Sequence, residues 1–140
     1  MYYITDKLLV GNLEDLRKPP AFVEAVLCVA SEISEQSPPA CVYGKVPFIE
    51  YSEVAGIRLK QALEWLESRK GQCLMVCCRV GMGRSVSVVV AYLCCVEHMT
   101  YSEAVQLAKL RRPGATPLPN LETTIEQVKA LRVRGSGPKQ

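Results

Sequence analysis

The chain of 140 residues holds a single histidine, His98. A Cys/His zinc site is therefore short of ligands, and no two cysteines stand at C-x-x-C spacing. No apolar run can cross a bilayer; the longest, around Val88 to Val96, is far too short. The start, Met1-Tyr-Tyr-Ile-Thr-Asp-Lys7, lacks the basic opening and apolar stretch of a signal peptide. Those two absences predict a cytoplasmic protein. The seven cysteines are odd in number, which argues against a disulfide framework. Net charge is only +3, so there is no argument for nucleic acid as a partner. There is no internal repeat and no linker.

What is present is a globular composition, 49% apolar and 22% charged, long enough for one domain with its own core. Residues 135–140, Gly-Ser-Gly-Pro-Lys-Gln, read as a flexible tail, leaving 1–134 as the domain. Strands are expected at Tyr2 to Thr5, Leu8 to Val10, Ala25 to Val29 and Val46 to Ile49, with a turn at Gly11-Asn12. Leu27 to Ala30 and Cys73 to Cys77 are apolar without alternation, as in strands covered on both faces. Val54 to Arg69 repeats Leu59, Leu63 and Leu66 on one helical face and stops at Gly71. Arg84 to His98 is apolar nearly all round and reads as a buried helix. Thr100-x-x-Glu103 is a capping box opening a helix to Arg112, which Pro113-Gly114 ends. A last helix starts near Asn120. Strands followed by strand–loop–helix and further helices define an α/β domain with a mainly parallel central sheet.

Between the buried strand and the buried helix stands Cys78-Arg-Val-Gly-Met-Gly-Arg84-Ser85. A helix N-terminus offers unpaired N–H groups and partial positive charge. Gly81 and Gly83 let the backbone curl so that successive N–H groups converge on an anion. Arg84 adds a planar fork for two phosphate oxygens. A cysteine in such a field loses its proton readily; comparable sites bring the thiol pKa to about 3.5–7.5. The same loop thus supplies a nucleophile and an oxyanion cradle. Cys28, Cys94 and Cys95 read instead as core residues. A Walker A loop is excluded, because the position five before Gly83 is Cys78 and the next residue is Arg84. A thiol protease needs a histidine beside its cysteine, and His98 lies 14 residues beyond Arg84, about 20 Å along a helix.

Cys78 and Arg84 form the C-x5-R signature, and the chain resembles the cysteine-dependent protein phosphatases. It is most similar to small dual-specificity phosphatases, including archaeal-type and atypical members. Leu8-Leu-Val-Gly-Asn12, Leu27-Cys-Val-Ala30, Ala91-Tyr-Leu93, Arg112-Pro113-Gly114 and Thr124-Ile-Glu-Gln127 extend the likeness over nearly the whole chain. The resemblance implies about four to five strands flanked by helices. It implies phosphorylated protein substrates and no cofactor or metal. Cys78 would attack phosphorus, the N–H groups of Arg79, Val80, Gly81, Met82, Gly83 and Arg84 would hold the equatorial oxygens, and Ser85 would serve the thiolate as leaving group. The family's acid is an aspartate after the strand preceding the next helix. Here Pro47 to Glu53 contains none, so Glu50 is the expected general acid and base, with Glu53 the alternative. The ordinary role for Glu53 would be first-turn charge on the following helix.

Cys77 stands where the family has histidine, and it or Cys73 could capture an oxidised Cys78. Asn120 corresponds to the asparagine that braces the phosphate loop, or simply caps the last helix. Arg79 adds positive charge at the pocket mouth, a feature also of phosphoinositide phosphatases. The competing readings are a small phosphomonoester or phosphoinositide phosphatase, a low-turnover phosphate-binding module and a thiol redox protein.

Overall fold

A computed structural model describes residues 1–34, 41–49 and 52–136, with side chains through Val133. The order is β1 Tyr2–Thr5, β2 Leu8–Gly11, α1 Leu13–Arg17, β3 Ala25–Ala30, β4 Val42–Phe48, α2 Gly56–Glu67, β5 Leu74–Cys77, α3 Arg84–Cys95, α4 Tyr101–Arg111 and α5 Leu121–Ser136. The sheet runs β1-β2-β5-β3-β4; β1 and β2 form an antiparallel hairpin and the other pairs are parallel. The expected α/β class and mainly parallel sheet are therefore found.

The unalternating runs lie at the centre. Every residue of β3 and β5 is buried, as strands covered on both faces must be. Edge strand β4 alternates toward its end, and it tolerates Pro47 because an edge need not donate every N–H. β4 begins four residues earlier than its apolar pattern suggests. Register with β3, not side-chain character, carries Val42 to Lys45 into the sheet. Gly44 is required there, since a Cβ would sit 2.3 Å from the Trp65 indole nitrogen of α2. α3 is buried from Arg84 through Cys94, so its apolar composition all round is that of an interior helix. The α4 capping box forms, with Glu103 N–H on Thr100 Oγ1 at 3.1 Å and Thr100 N–H on Glu103 Oε1 at 3.0 Å.

Other boundaries also differ from expectation, and α3 ends at Cys95, short of His98. Gly11-Asn12 is more than a turn: Asn12 and Asp15 form a capping box that opens α1. α2 starts at Gly56, so Glu53 is not first-turn charge. α5 runs to Ser136, two residues into the expected tail, because the first residue that cannot continue a helix is Pro138. Among the described residues no helix is long and apolar enough to cross a membrane.

β5 lies between β2 and β3, and its carboxyl end is the centre of the sheet's carboxyl edge. Open parallel sheets bind ligands at that edge. Cys78 is the first residue past it.

Candidate active site

The loop from Cys78 to Gly83 links β5 to α3. The Cys78 sulfur is almost fully buried and receives the Gly81 N–H at 3.2 Å. Ser85 Oγ lies 3.2 Å from the same sulfur. Gly81 has φ +80°, the left-handed region, and a Cβ there would come 2.9 Å from the Gly11 carbonyl oxygen. Only glycine fits both constraints. Gly83 is the N-cap of α3 and makes no side-chain cap hydrogen bond.

The curl of the loop is set from outside. The carbonyl of Arg79 accepts from Leu13 N–H at 3.1 Å, and that of Met82 from Thr116 N–H at 2.8 Å. Arg112 donates to the carbonyls of Gly81 at 2.9 Å and Val80 at 3.4 Å. Ser87 Oγ donates to the Gly83 carbonyl at 2.8 Å and accepts from Leu118 N–H at 2.8 Å. Every carbonyl from Arg79 to Gly83 thus points outward to a donor. Peptide groups turned this way aim their N–H groups inward, which is the arrangement of an anion nest.

Arg84 is 1% exposed although charged. A buried guanidinium needs a partner, and Glu32 provides one across the Nη1–Nη2 edge at 2.6 and 2.7 Å. The Phe48 carbonyl accepts from Nη1 at 3.2 Å. A guanidinium is a planar fork whose edges match two oxygens of a carboxylate or a phosphate. Glu32 also pairs with Arg79 Nε at 3.3 Å. The hydrogen bonds from Arg84 chiefly, against a smaller opposing effect of burial, hold the Glu32 carboxyl down at about 2.

Cys78, residues 79–83, Arg84 and Ser85 follow one another through the turn from β5 into α3, with the Ser85 hydroxyl against the Cys78 sulfur. Glu50, the expected acid, lies outside the described residues, as does Tyr51. Glu53 is exposed and lines a cavity of about 330 Å³ with Phe48, Val54 and Arg58. Asn120 is exposed, with φ +59°, and stands directly before α5. Arg112 and Ser87 brace the loop, together with the Thr116 backbone. Cys77 is fully buried, and burial foremost pushes its thiol well above the ordinary range. Cys73 precedes the far end of β5, so a strand of four residues, about 13 Å, separates it from Cys78. A disulfide needs the two Cα atoms within about 7 Å, which excludes Cys73 as a direct partner.

Glu32, Ser87 and Arg112 escape a reading of the sequence as site residues. Arg112 is visible there as part of an Arg-Pro-Gly stop and of the family likeness, with no role attached to its side chain. Glu32 follows the buried strand β3 closely, the one positional signal that places it at the sheet's carboxyl edge.

Residues 54–130 match the family described as dual specificity phosphatase, catalytic domain. The chain belongs to that family. It is 33% identical over 98 residues to dual specificity protein phosphatase 1 of Arabidopsis thaliana, covering 68% of this chain and 50% of that protein. It is 30% identical over 105 residues to dual specificity protein phosphatase 1B of the same plant, covering 73% and 63%. The chain thus spans about half to two thirds of the length of these curated relatives. Human DUSP28 superposes with a TM-score of 0.75 at 24% identity, over 96% of this chain and 99% of that one. The human tyrosine phosphatase-like serine/threonine/tyrosine-interacting protein gives 0.79 at 18% identity, over 95% and 97%. These likenesses establish the shared fold.

Proposed function

We propose that the chain is a metal-independent protein phosphatase, hydrolysing phosphotyrosine and also phosphoserine and phosphothreonine through a cysteinyl-phosphate intermediate. The carrying observation is the set of outward-held carbonyls of the loop that follows Cys78, with the Arg84 guanidinium held by Glu32. The Cys78 thiolate attacks phosphorus in line, forming the S–P bond as the ester P–O bond breaks. Loop N–H groups and Arg84 take the equatorial oxygens, supplying the positive charge a metal would otherwise bring. A carboxylic acid gives its proton to the departing oxygen. The resulting carboxylate then takes a proton from water as that water attacks phosphorus. The S–P bond breaks, and Ser85 Oγ donates to the returning thiolate. Inorganic phosphate leaves.

Turnover of 4-nitrophenyl phosphate in excess chelator is the test. Cys78→Ser should abolish it, and Arg84→Lys should lower kcat/KM by at least about 10²-fold. Turnover surviving in Cys78→Ser overturns the reading. Glu50 is the proposed acid and Glu53 the alternative. Glu50→Gln should slow an alkyl phosphate by about 10²-fold and 4-nitrophenyl phosphate far less, since nitrophenolate leaves without a proton. If Glu53→Gln shows that pattern and Glu50→Gln does not, the acid is Glu53. A phosphate-binding module without turnover would bind phosphate yet show neither burst nor steady release in the same assay.

A further inference from the structure

The loop's outer side forms one wall of a cavity of about 440 Å³. Val80 and Met82 of the loop face Thr116, Pro117, Leu118 and Pro119 of the segment between α4 and α5. None of these side chains is charged, and only Thr116 carries a polar group. Val80 is 43% exposed, an apolar side chain left open two residues from the nucleophile. Its neighbour Arg79 is of opposite character and pairs with Glu32.

The groove is fixed in shape. Thr116 N–H is tied to the Met82 carbonyl at 2.8 Å, and Leu118 N–H to Ser87 Oγ at 2.8 Å. Gly114 sits at φ +83°, and a Cβ there would be 3.1 Å from the Met82 sulfur. A preformed apolar groove takes an apolar group without an ordering cost of its own.

Reach decides the occupant. An extended peptide advances about 3.3–3.6 Å per residue, and Val80 stands two residues along the loop from Cys78. Val80 and Met82 belong both to the groove and to the loop around Cys78, so the groove adjoins the path of a residue one or two places from the phosphorylated one. An inositol headgroup presents only hydroxyls and phosphates and has nothing to place there.

We propose that the groove between Val80-Met82 and residues 116–119 is the subsite for an apolar side chain of the protein substrate, one or two residues from the phosphorylated residue. The proposal rests on the phosphatase reading above. It makes this wall a selector of sequence, while Arg84 and the loop N–H groups recognise the phosphoryl group common to all substrates.

The test uses phosphotyrosine peptides differing only in leucine or serine at the two positions on each side, with 4-nitrophenyl phosphate as reference. The wild-type kcat/KM should favour leucine by about tenfold, the scale on which apolar pockets discriminate. Pro119→Glu, at an exposed position, should bring that ratio close to one by placing a charge on the groove wall. Turnover of 4-nitrophenyl phosphate, which has no neighbouring residue to place there, should fall far less than turnover of the leucine peptide. Pro117→Gln is the second variant, should the first not fold, with the same expected loss of preference. Equal wild-type rates on both peptides, or a preference unchanged in both variants, overturn the subsite. If 4-nitrophenyl phosphate is not turned over by the wild type, the phosphatase reading fails separately. Peptide affinity then decides the groove alone: a leucine preference lost in the variants supports it, and parity overturns it.

Discussion

The two supports of the phosphate loop are built differently. Arg84 is set by charge: Glu32 takes one edge of its guanidinium, holds Arg79 with the same carboxylate, and comes from just past the end of β3. The loop backbone is set by dipoles, with five consecutive carbonyls drawn outward by Leu13, Arg112, Thr116 and Ser87. Charge fixes the direction of one side chain, whereas the carbonyl ties fix the shape of the anion nest. The two supports should therefore fail in distinguishable ways.

Gly81→Ala should break the backbone support most severely. It forces a left-handed residue and a 2.9 Å approach to the Gly11 carbonyl together. The strain alone is about 1–3 kcal/mol. Turnover of 4-nitrophenyl phosphate should fall by about 10³-fold and the denaturant midpoint should drop, because the nest is lost as a unit.

Glu32→Gln breaks the charge support. It leaves the buried Arg84 without the Glu32 carboxylate, so kcat/KM should fall by about 10²-fold while the loop backbone stays formed. The pH dependence has a definite sign. The folded-state carboxyl titrates at about 2 against an ordinary 4.5, so its contribution to stability is complete above about pH 4.5 and is lost as the pH falls toward 2. The stability gap between wild type and Glu32→Gln should be widest above pH 4.5 and should close toward pH 2. A gap that is constant across that window contradicts the pairing. Because Glu32 is 38% exposed, solvent screens the pair, and added salt should narrow the gap.

Arg112→Ala should be mildest. It removes the donors to the Gly81 and Val80 carbonyls, leaving three loop carbonyls tied. About tenfold in kcat/KM and about 1–2 kcal/mol in stability are expected from hydrogen bonds of this kind. Lys in place of Arg112 should restore part of both. An effect as large as that of Gly81→Ala would mean that the carbonyl ties act through one residue and not as a set.

Legibility follows the range of the interaction. Cys78, Arg84, Ser85 and the glycines are close in sequence, and the chemistry of the loop can be read from their spacing. The buried strands and the interior helix α3 are readable because burial on all sides leaves unbroken apolar runs. Glu32 is 52 residues from Arg84, and its one local mark is its place just after the buried strand β3. Arg112 and Ser87 act on backbone carbonyls, which carry no residue type to match. An asparagine after proline, as at Asn120, suits a cap or a brace equally in sequence, so its residue type alone does not choose between them. The start of β4 is hidden because Gly44 and Lys45 break the apolar pattern that pairing with β3 overrides.

Intact-mass analysis of acid-quenched protein during the first turnovers of 4-nitrophenyl phosphate tests the central claim most directly. The account predicts the gain of one phosphoryl group, located by peptide mapping at Cys78 and missing in Cys78→Ser. Turnover that proceeds with the phosphoryl group on another residue, or with no phosphorylated protein formed at all, would contradict it.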